Sequence, residues 1–432
     1  MPRGYAVPAM YRPIDTCRIC GNTNLVPLVS LGEQALTGTF PCEPDRQLAR
    51  GPLELVRCTP VGQAEQCGLV QLRHSYDSAQ LYGQNYGYRS SLNRSMVDHL
   101  RCKVAKLTAL AELRDGDAVL DIGSNDGTTL SLYPEGKVLP VGIDPTAKKW
   151  QRFYRSDALV VPDLFSAEGV RSVLGQKRPR IITSLAMFYD LEDPQSFANQ
   201  VAELLDDDGI WHLEQSYLPA MLSVNAYDTI CHEHLEYYAL KQIRILAERA
   251  GLKLIYVELN DVNGGSFAVT AARKNSRYHV SPSVDQIQER ELDFGLDDPA
   301  TYERFRDSVQ RHRCELRGLL SRLRAAGKRV LGYGASTKGN VLLQFCNLGP
   351  DDLESIAEVN EEKFGKFTPG TGIPIVSESE IKARKPDYLL VFPWHFRKNL
   401  IEREAAFLAG GGRMIFPLPK IEVIGAGGEV IS

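Results

Sequence analysis

The 432-residue sequence lacks both a long hydrophobic run and a net positive charge. No stretch approaches the roughly 20 apolar residues of a membrane span, and the start Met1–Tyr5 lacks the apolar core of a signal peptide. A formal charge of −4 argues against a general nucleic-acid-binding protein, for which a basic surface would be expected. The composition, 43% hydrophobic and 24% charged, is that of an ordinary globular protein with room for two or three domains. We expect a cytoplasmic monomer whose partners include neither nucleic acid nor membrane.

Cysteine is too scarce and too unevenly placed for a disulfide framework: there are nine, and five of them precede residue 68. In a reducing compartment such clustering indicates metal binding. Cys17 and Cys20 form a C-x-x-C knuckle, and Cys58 and Cys67 can complete a tetrahedral Zn²⁺ site of structural type. The alternative is that the first pair lies in a loop and binds nothing. Cys42 is left out of the site.

The most informative stretch of the sequence is 119–127. It is followed by a second apolar run that ends on an acidic residue, at 141–144. It is typical of a strand, a Gly-rich turn into a helix, and a second strand that ends on a carboxylate, as in doubly wound α/β domains that bind nucleosides. Carboxylates in the turn would repel the pyrophosphate of NAD, but they suit the cationic S-adenosylmethionine. The alternatives are NAD and an accidental strand-turn-helix.

The residues that we expect to bind S-adenosylmethionine follow from this pattern. Asp144 would accept the hydrogen bonds of the ribose diol. Asp163 and Phe165, after a third strand, are candidates for the adenine end, with core packing as the alternative for Phe165. The remaining candidates lie in the turn: Asp121, Gly123, Ser124, Asn125, Asp126 and Gly127.

The chain divides into four predicted parts: a β-rich zinc module (1–80), a cofactor domain that includes the catalytic segment (81–283), a linker helix (284–326) and a second α/β unit (327–432). Helical spacing runs from Met96 to Leu113. Alternation of strands with helices predicts a mainly parallel sheet in the cofactor domain. Its strand-like runs are 118–122, 138–143, 181–185, 209–214, 253–258 and 266–272.

A second Gly-rich turn opens the last part. Gly332, Gly334, Ser336 and Thr337 offer donors at a helix N-terminus and Lys338 adds a positive charge, which suits an anionic phosphate. The alternative is a tight turn that only connects strand to helix. Trp394, after another apolar run, is a candidate to stack on a base or sugar, and core packing is equally compatible with its position.

The segment 227–238 is the best candidate for the chemistry, because it places five proton-carrying groups within eight residues. In a helix His232 and His234 would point about 200° apart, so that one would be a base and the other structural. In a strand the two would share a face and could chelate a metal. The spacing does not match H-E-x-x-H, which excludes a zinc-protease site.

These motifs together resemble the sugar-nucleotide C-methyltransferases that make branched deoxysugars. The match rests on three blocks: the four-cysteine module with Gly68–Leu72, the turn Asp121–Gly127, and Cys231-His-Glu-His together with Gly332–Asn340. Further agreement comes from 366–371 and 416–420. The resemblance implies an α/β protein with a zinc module, a class I methyltransferase (Rossmann-like) central domain and a second Rossmann-like C-terminal domain.

The resemblance also implies residue roles. His234 would be the general base, with Glu233 and His232 supporting the site and Tyr88 on its wall. The family usually has tyrosine where this chain has Cys231, a change that can make room for a differently shaped sugar. The remaining substrate-site candidates, for a nucleotide-linked 4-ketohexose, are Tyr333, Ser336, Thr337, Lys338, Asn340 and Trp394. O-methylation of a sugar nucleotide and a non-enzymatic zinc-ribbon scaffold are the competing functions.

Overall fold

The computed structural model describes residues 10–44, 48–59, 67–76, 81 and 89–431. None of the helices in these ranges combines the length and apolarity that crossing a bilayer requires. The described residues form four sheets, which are taken in turn below.

The first part of the chain is rich in strands, as predicted. Strands β2, β3 and β4 form an antiparallel sheet in the order β11-β4-β3-β2, and β1 pairs with β5. In β3, Leu53 and Leu55 alternate with more exposed neighbours, so that one face of the strand is buried. Strand β11 comes from much later in the chain and pairs with β4. The bounds are β1 Tyr11–Pro13, β2 Leu25–Ala35, β3 Arg50–Cys58, β4 Val70–Leu72, β5 His74–Tyr76 and β11 Glu236–Tyr237.

The second sheet has seven strands in the order β12-β13-β10-β9-β6-β7-β8. All neighbours are parallel except β13, which runs antiparallel to both β10 and β12. Its first five strands therefore follow the order 3-2-1-4-5 of doubly wound folds, and β13 is inserted next to the fifth. This is the predicted class I methyltransferase fold. The strands are β6 Ala118–Ile122, β7 Leu139–Ile143, β8 Leu159–Val161, β9 Pro179–Leu185, β10 Ile210–Ser216, β12 Leu252–Asn260 and β13 Ser266–Arg273.

The helices around this sheet begin at recognisable caps. Asn93 accepts a hydrogen bond from Ser95 N at the start of α1, and Asp193 caps α5 just before Pro194. The helices are α1 Arg94–Ala111, α2 Thr128–Ser131, α3 Ala147–Trp150, α4 Ala167–Leu174, α5 Pro194–Leu204, α6 Leu218–Ser223 and α7 Leu240–Arg249. The parallel strands thus present their carboxyl ends, and the Gly-rich turn after β6, at one edge.

The linker prediction was wrong in one respect: residues 284–326 are not a single helix. They contribute to two helices, α8 Pro282–Phe294 and α9 Pro299–Ala325. Gly295 ends α8 in the left-handed region with φ +79°, which glycine adopts without strain. Asp298 then caps α9, and Pro299, which has no N–H to donate, occupies its first turn.

The last part of the chain is a second doubly wound unit. Its six strands lie in the order β16-β15-β14-β17-β18-β19, the Rossmann order 3-2-1-4-5-6, and only β19 is antiparallel to its neighbour. The predicted second Rossmann-like unit is therefore confirmed. The elements are β14 Val330–Tyr333, α10 Thr337–Phe345, β15 Ile356–Glu358, β16 Ile375–Ser377, α11 Glu378–Ala383, β17 Tyr388–Val391, α12 Arg397–Arg403, α13 Ala405–Ala409, β18 Arg413–Phe416 and β19 Glu422–Ile424.

The N-terminal and C-terminal parts pack directly against each other. Gln344 on α10 accepts a hydrogen bond from Ala35 N at 2.7 Å and donates one to Ala35 O at 3.1 Å. Asn340 Nδ2 donates to Thr37 O at 2.7 Å. The segment 227–238 runs beside this contact, since α10 also packs on the short 3₁₀ turn Tyr227–Thr229. The candidate catalytic residues consequently lie where the N-terminal sheet, the central unit and the C-terminal unit meet.

Candidate active site

The four predicted zinc ligands converge. The Sγ atoms of Cys17, Cys20, Cys58 and Cys67 all lie within 4.8 Å of one another, and those of the pairs Cys17–Cys67 and Cys20–Cys58 are 3.4 Å apart. Four thiolates around Zn²⁺ at about 2.3 Å would be separated by about 3.8 Å. The donor set therefore fits a zinc ion of the structural type, which would be fully coordinated and would have no open position for catalysis.

Arg18, inside the cysteine knuckle, connects the zinc module to the later chain. Its buried guanidinium donates to Leu72 O at 2.8 Å and to Ser75 Oγ at 2.9 Å. Its Nε lies 3.6 Å from the carboxylate of Glu236, in a pair with almost no solvent exposure. Since Glu236 follows His234 by two residues, the knuckle and the catalytic segment are held together.

The Gly-rich turn after β6 is closely packed. Gly123 and Gly127 both have positive φ, and a Cβ on Gly127 would lie 2.8 Å from the ring of Tyr154. Asp121 is almost fully buried at the end of β6 and accepts a hydrogen bond from Thr183 Oγ1 at 2.5 Å. Burial raises the pKa of Asp121 to about 7.

Asp144 lies next to this turn, at the end of β7. One carboxylate oxygen accepts a hydrogen bond from Asn125 N at 2.9 Å, and the other accepts from the backbone and hydroxyl of Thr146. Two carboxylates, Asp121 and Asp144, thus lie at adjacent strand ends. Such a pair fits a cationic nucleoside of the S-adenosylmethionine type better than a pyrophosphate.

The other predicted cofactor residues of the turn are engaged within the protein. Ser124 Oγ and Asn125 O both contact the hydroxyl of Tyr154 at 2.8 Å. Asp126 accepts a hydrogen bond from Ser91 Oγ at 2.6 Å and one from Thr128 Oγ1 at 2.5 Å. These contacts fix the shape of the turn.

The two residues expected at the adenine end differ in environment. Asp163 is exposed just after β8, and its Oδ1 accepts a hydrogen bond from Leu164 N at 2.7 Å. Phe165 packs against Phe197 with a ring-centroid distance of 4.7 Å. Both lie at the same edge of the sheet as Asp144, and their contact with a cofactor stays a prediction.

The Cys231–His234 segment is neither helix nor strand. It is a β-turn in which His234 N donates to Cys231 O at 3.2 Å. The two histidines leave this turn in different directions. The chelate alternative depended on a strand that would put both histidines on one face, and residues 231–234 do not form a strand.

His232 faces the N-terminal sheet. It is fully buried, its Nε2 lies 3.2 Å from Gly51 O, and its ring packs edge-on against Tyr76 at 4.8 Å. Burial lowers the pKa of His232 to about 4. These contacts stabilise the turn against the N-terminal module.

His234 has the geometry of a base. Its Nδ1 lies 2.9 Å from Thr229 O, and because a carbonyl oxygen can only accept, Nδ1 carries the hydrogen and Nε2 keeps its lone pair. Nε2 has no hydrogen-bond partner within the described ranges. The ring packs on Tyr189 at a centroid distance of 4.3 Å. Burial, assisted by the charge of Lys338, lowers the pKa of His234 to about 4, so the imidazole is neutral at pH 7.

Glu233 directly precedes His234, and its carboxyl group lies between the N-terminal and C-terminal parts, near Gly38 and Thr337. A Cβ on Gly38 would collide with Glu233 Oε1 and would lie 4.0 Å from Thr337 Oγ1. Burial raises the pKa of Glu233 to about 7. A large fraction of this carboxyl group is consequently protonated near neutral pH and can donate a hydrogen bond.

Two further predicted site residues are Cys231 and Tyr88. The Cys231 side chain is only 1% exposed, and burial raises the pKa of its thiol well above the usual value. It packs with Tyr227, Ile230 and other apolar side chains of the largest core cluster. Tyr88 lies outside the described residues.

The predicted substrate residues of the C-terminal unit divide into two groups. Ser336 caps α10 by accepting from Gly339 N at 3.0 Å, and Thr337, at the start of the helix, is half-buried near Glu233. Tyr333 donates its hydroxyl to Glu404 at 2.8 Å, and Asn340 binds Thr37 O as described above. Their contact with a substrate stays a prediction.

Lys338 and Trp394 reach from the C-terminal unit into the segment around His234. Lys338 Nζ donates to Asn263 O at 2.8 Å, and burial lowers the pKa of Lys338. Trp394 Nε1 donates to Asp228 Oδ2 at 2.8 Å, and only 6% of Trp394 is exposed. Each of the two side chains therefore has a partner inside the protein.

Sequence reasoning gave no individual role to three residues that the structure places at the site: Tyr154 below the Gly-rich turn, and Asp228 and Thr229 in the segment 227–238, which contact Trp394 and His234. Asp228 and Thr229 stand only a few residues before the His-Glu-His motif, so their proximity was a signal. Nothing in the local pattern marks Tyr154.

Comparison with known proteins gives matches over most of the chain. Residues 17–82 match a family model described as a zinc binding domain, residues 96–257 one described as a methyltransferase domain, and residues 261–419 one described as a C-methyltransferase C-terminal domain. The chain is 34% identical over 418 residues to the C-methyltransferase NovU from Streptomyces niveus, covering 96% of this chain and 98% of NovU.

Two solved structures are also similar to part of the chain. Magnesium protoporphyrin IX methyltransferase ChlM from Synechocystis PCC 6803 with bound SAH has 17% identity and a TM-score of 0.32, and the match covers 46% of this chain and 92% of ChlM. The CcbJ methyltransferase from Streptomyces caelestis has 14% identity and a TM-score of 0.32, with 40% of this chain and 89% of CcbJ covered.

We expect Cys58→Ser to abolish stable zinc binding and to lower the thermal midpoint, because metal ligation contributes folding free energy. Metal analysis of the purified wild type should give about one zinc ion per chain. Cys42→Ser is the matched control, since Cys42 is exposed and lies outside the four-sulfur group. Equal zinc content in wild type and Cys58→Ser would contradict the assignment.

We expect Asp144→Ala to raise the dissociation constant for S-adenosylmethionine at least about tenfold, since the ribose hydroxyls lose a carboxylate acceptor. Calorimetric titration measures this. Asp207→Ala is the control, because Asp207 is 89% exposed in the turn before β10. Unchanged affinity in Asp144→Ala would remove Asp144 from the cofactor site.

Proposed function

Because this chain belongs to the C-methyltransferase family and is an S-adenosylmethionine-dependent methyltransferase, we propose that it methylates a carbon next to the ketone of a nucleotide-linked 4-ketohexose. The observation that carries the proposal is the geometry of His234, whose Nδ1 hydrogen is fixed on Thr229 O, next to Glu233, whose carboxyl group lies between Gly38 and the start of α10. A carbon next to a ketone is acidic enough for an imidazole base, provided that a donor stabilises the enolate oxygen.

His234 is the proposed base. With its hydrogen fixed on Nδ1, the Nε2 lone pair is available to take the α-proton of the substrate. The low pKa keeps the imidazole unprotonated at neutral pH, so that no preceding deprotonation is needed.

Glu233 is the proposed donor to the ketone oxygen. In its protonated form the carboxyl group can donate a hydrogen bond, which strengthens as negative charge develops on the oxygen during proton abstraction. The bound S-adenosylmethionine supplies the methyl group that the resulting carbanion acquires.

The position of Glu233 at the start of α10 supports a nucleotide-linked substrate. Thr337 begins α10 beside Glu233, and the N–H groups of a helix N-terminus favour phosphate oxygens. A sugar diphosphate could thus place its ketone near His234 and its phosphates near the start of α10.

The decisive experiment incubates the protein with S-adenosylmethionine and a panel of nucleotide-linked ketosugars, and then locates the methyl group by mass spectrometry and NMR. We expect a new carbon–methyl bond and loss of deuterium from the carbon next to the ketone. A product that carries the methyl group on oxygen and retains all deuterium would establish O-methylation instead.

In the same assay His234→Asn should lower turnover about 10²- to 10⁴-fold, the usual contribution of a general base, while S-adenosylmethionine affinity stays unchanged. His279→Asn, a change at an exposed histidine after β13, is the matched control. Turnover of His234→Asn within threefold of the wild type would exclude His234 as the base.

The pH profile of kcat/KM should be bell-shaped. Activity rises with pH through about 4, where His234 loses its proton, and it falls through about 7, where Glu233 loses the proton that it must donate. Glu233→Gln keeps an N–H donor but does not titrate, so the fall near pH 7 should disappear. Glu289→Gln, an exposed change on α8, should retain it. A fall near pH 7 that persists in Glu233→Gln would assign that limb to another group.

A further inference from the structure

We propose that the C-terminal unit fixes the orientation and tautomer of His234 through the turn Tyr227–Thr229, with Trp394 and Asp228 as positioning residues. The inference rests on the proposed role of His234 as the base. In this proposal the C-terminal unit positions the imidazole in addition to its proposed contact with substrate, because the three consecutive residues of the turn contact either that unit, a helix packed on it, or His234.

The first connection runs through Asp228. This aspartate is 1% exposed, and its Oδ2 accepts the indole hydrogen of Trp394 at 2.8 Å across 166 residues of sequence. The indole also lies close to the turn before β13, since a Cβ on Gly264 would lie 2.9 Å from Trp394 Cη2. Lys338 holds the same turn by donating to Asn263 O. Trp394 is therefore fixed by its ring as well as by its N–H.

The second connection runs through Tyr227, whose side chain is completely buried. His312 on α9 lies 2.6 Å from Pro417 O through Nε2, and since that oxygen only accepts, Nε2 carries the hydrogen. Nδ1 of His312 is then an acceptor, and Tyr227 donates its hydroxyl to it at 2.9 Å. Two adjacent residues of the turn are thus anchored to α9 and to the C-terminal unit.

The third residue of the turn transmits this position to the base. Thr229 follows Asp228 directly, and its carbonyl oxygen accepts the Nδ1 hydrogen of His234. Tyr237 Oη lies 3.4 Å from the same oxygen. If the turn moved, the carbonyl would no longer favour the tautomer with a free Nε2, and both orientation and reactivity of the imidazole would change.

Trp394→Phe tests the inference, since it removes the N–H donor and keeps an aromatic ring. We expect kcat to fall about tenfold, the order of magnitude that one buried hydrogen bond contributes, while KM for S-adenosylmethionine stays within about twofold. NMR of protein labelled at histidine nitrogens, with His234 assigned from the signals lost in His234→Asn, should show that Nδ1 of His234 is protonated in the wild type and less so in Trp394→Phe.

Asp228→Ala removes the oxygen that accepts the indole hydrogen of Trp394, so it should by itself lower kcat about tenfold, as Trp394→Phe does. In the Trp394→Phe background the same change should add less than about twofold, because both substitutions act on one contact. Independent, multiplicative losses in the double variant would overturn the proposal.

Trp211→Phe is the matched control. Trp211 is also buried, and it donates its Nε1 hydrogen to Ser184 Oγ at 3.2 Å within the central sheet. It should lower thermal stability and leave the His234 signals unchanged. The proposal fails if Trp394→Phe has wild-type kcat and wild-type His234 signals, or if Trp211→Phe shifts those signals equally.

The NMR measurement needs no substrate and therefore separates this inference from the proposed function. A shift of the His234 signals in Trp394→Phe, with no methylation of any ketosugar by the wild type, would support the positioning role and reject the substrate. Methylation of a ketosugar by the wild type, with unshifted His234 signals in Trp394→Phe, would support the substrate and reject the positioning role.

Discussion

The hydrogen bond from His234 Nδ1 to the carbonyl oxygen of Thr229 decides which ring nitrogen is available for chemistry. An imidazole on a β-turn would otherwise rotate and exchange tautomers. The surrounding structure constrains this one contact from two sides. The N-terminal sheet holds His232 on the same turn, and the C-terminal unit holds the residue before Thr229. The orientation of the His234 imidazole is thereby defined by elements that are distant in sequence.

Burial shifts the pKa values of two adjacent residues of this turn in opposite directions. It raises the pKa of Glu233 to about 7 and lowers that of His234 to about 4. Near pH 7 the base is uncharged and much of the acid is uncharged as well. A site of this kind suits a reaction in which charge appears only when the substrate proton is removed, because the hydrogen-bond donor is already in position.

Local patterns in the sequence were sufficient to predict the main secondary-structure elements and the cysteine cluster. Alternating strands and helices predicted the central doubly wound sheet, a Gly-rich turn together with the family resemblance predicted the second, and cysteine spacing predicted the sulfur cluster. The break between α8 and α9 was also readable, since Gly295 and Pro299 are both helix-ending signals. The geometry of the turn and the partners of Asp228 and Asn340 could not be predicted from the sequence. These contacts span 166 and 303 residues, and no local periodicity encodes them. The catalytic and binding roles stay predictions.

Strand β11 has a consequence for how such chains can recombine. Glu236–Tyr237 completes the edge of the N-terminal sheet by pairing with Val70–Gln71, and Arg18 lies against Glu236. The early module is therefore not a detachable unit: one strand of its sheet is encoded within the cofactor domain. In a chimaera that exchanged only the first 80 residues with a relative, the new module would have to pair with the β11 strand of this chain, and its own arginine would have to fit Glu236. A chimaera that takes residues 231–238 and the early module from the same parent would keep the β4–β11 pairing and the contact between Arg18 and Glu236.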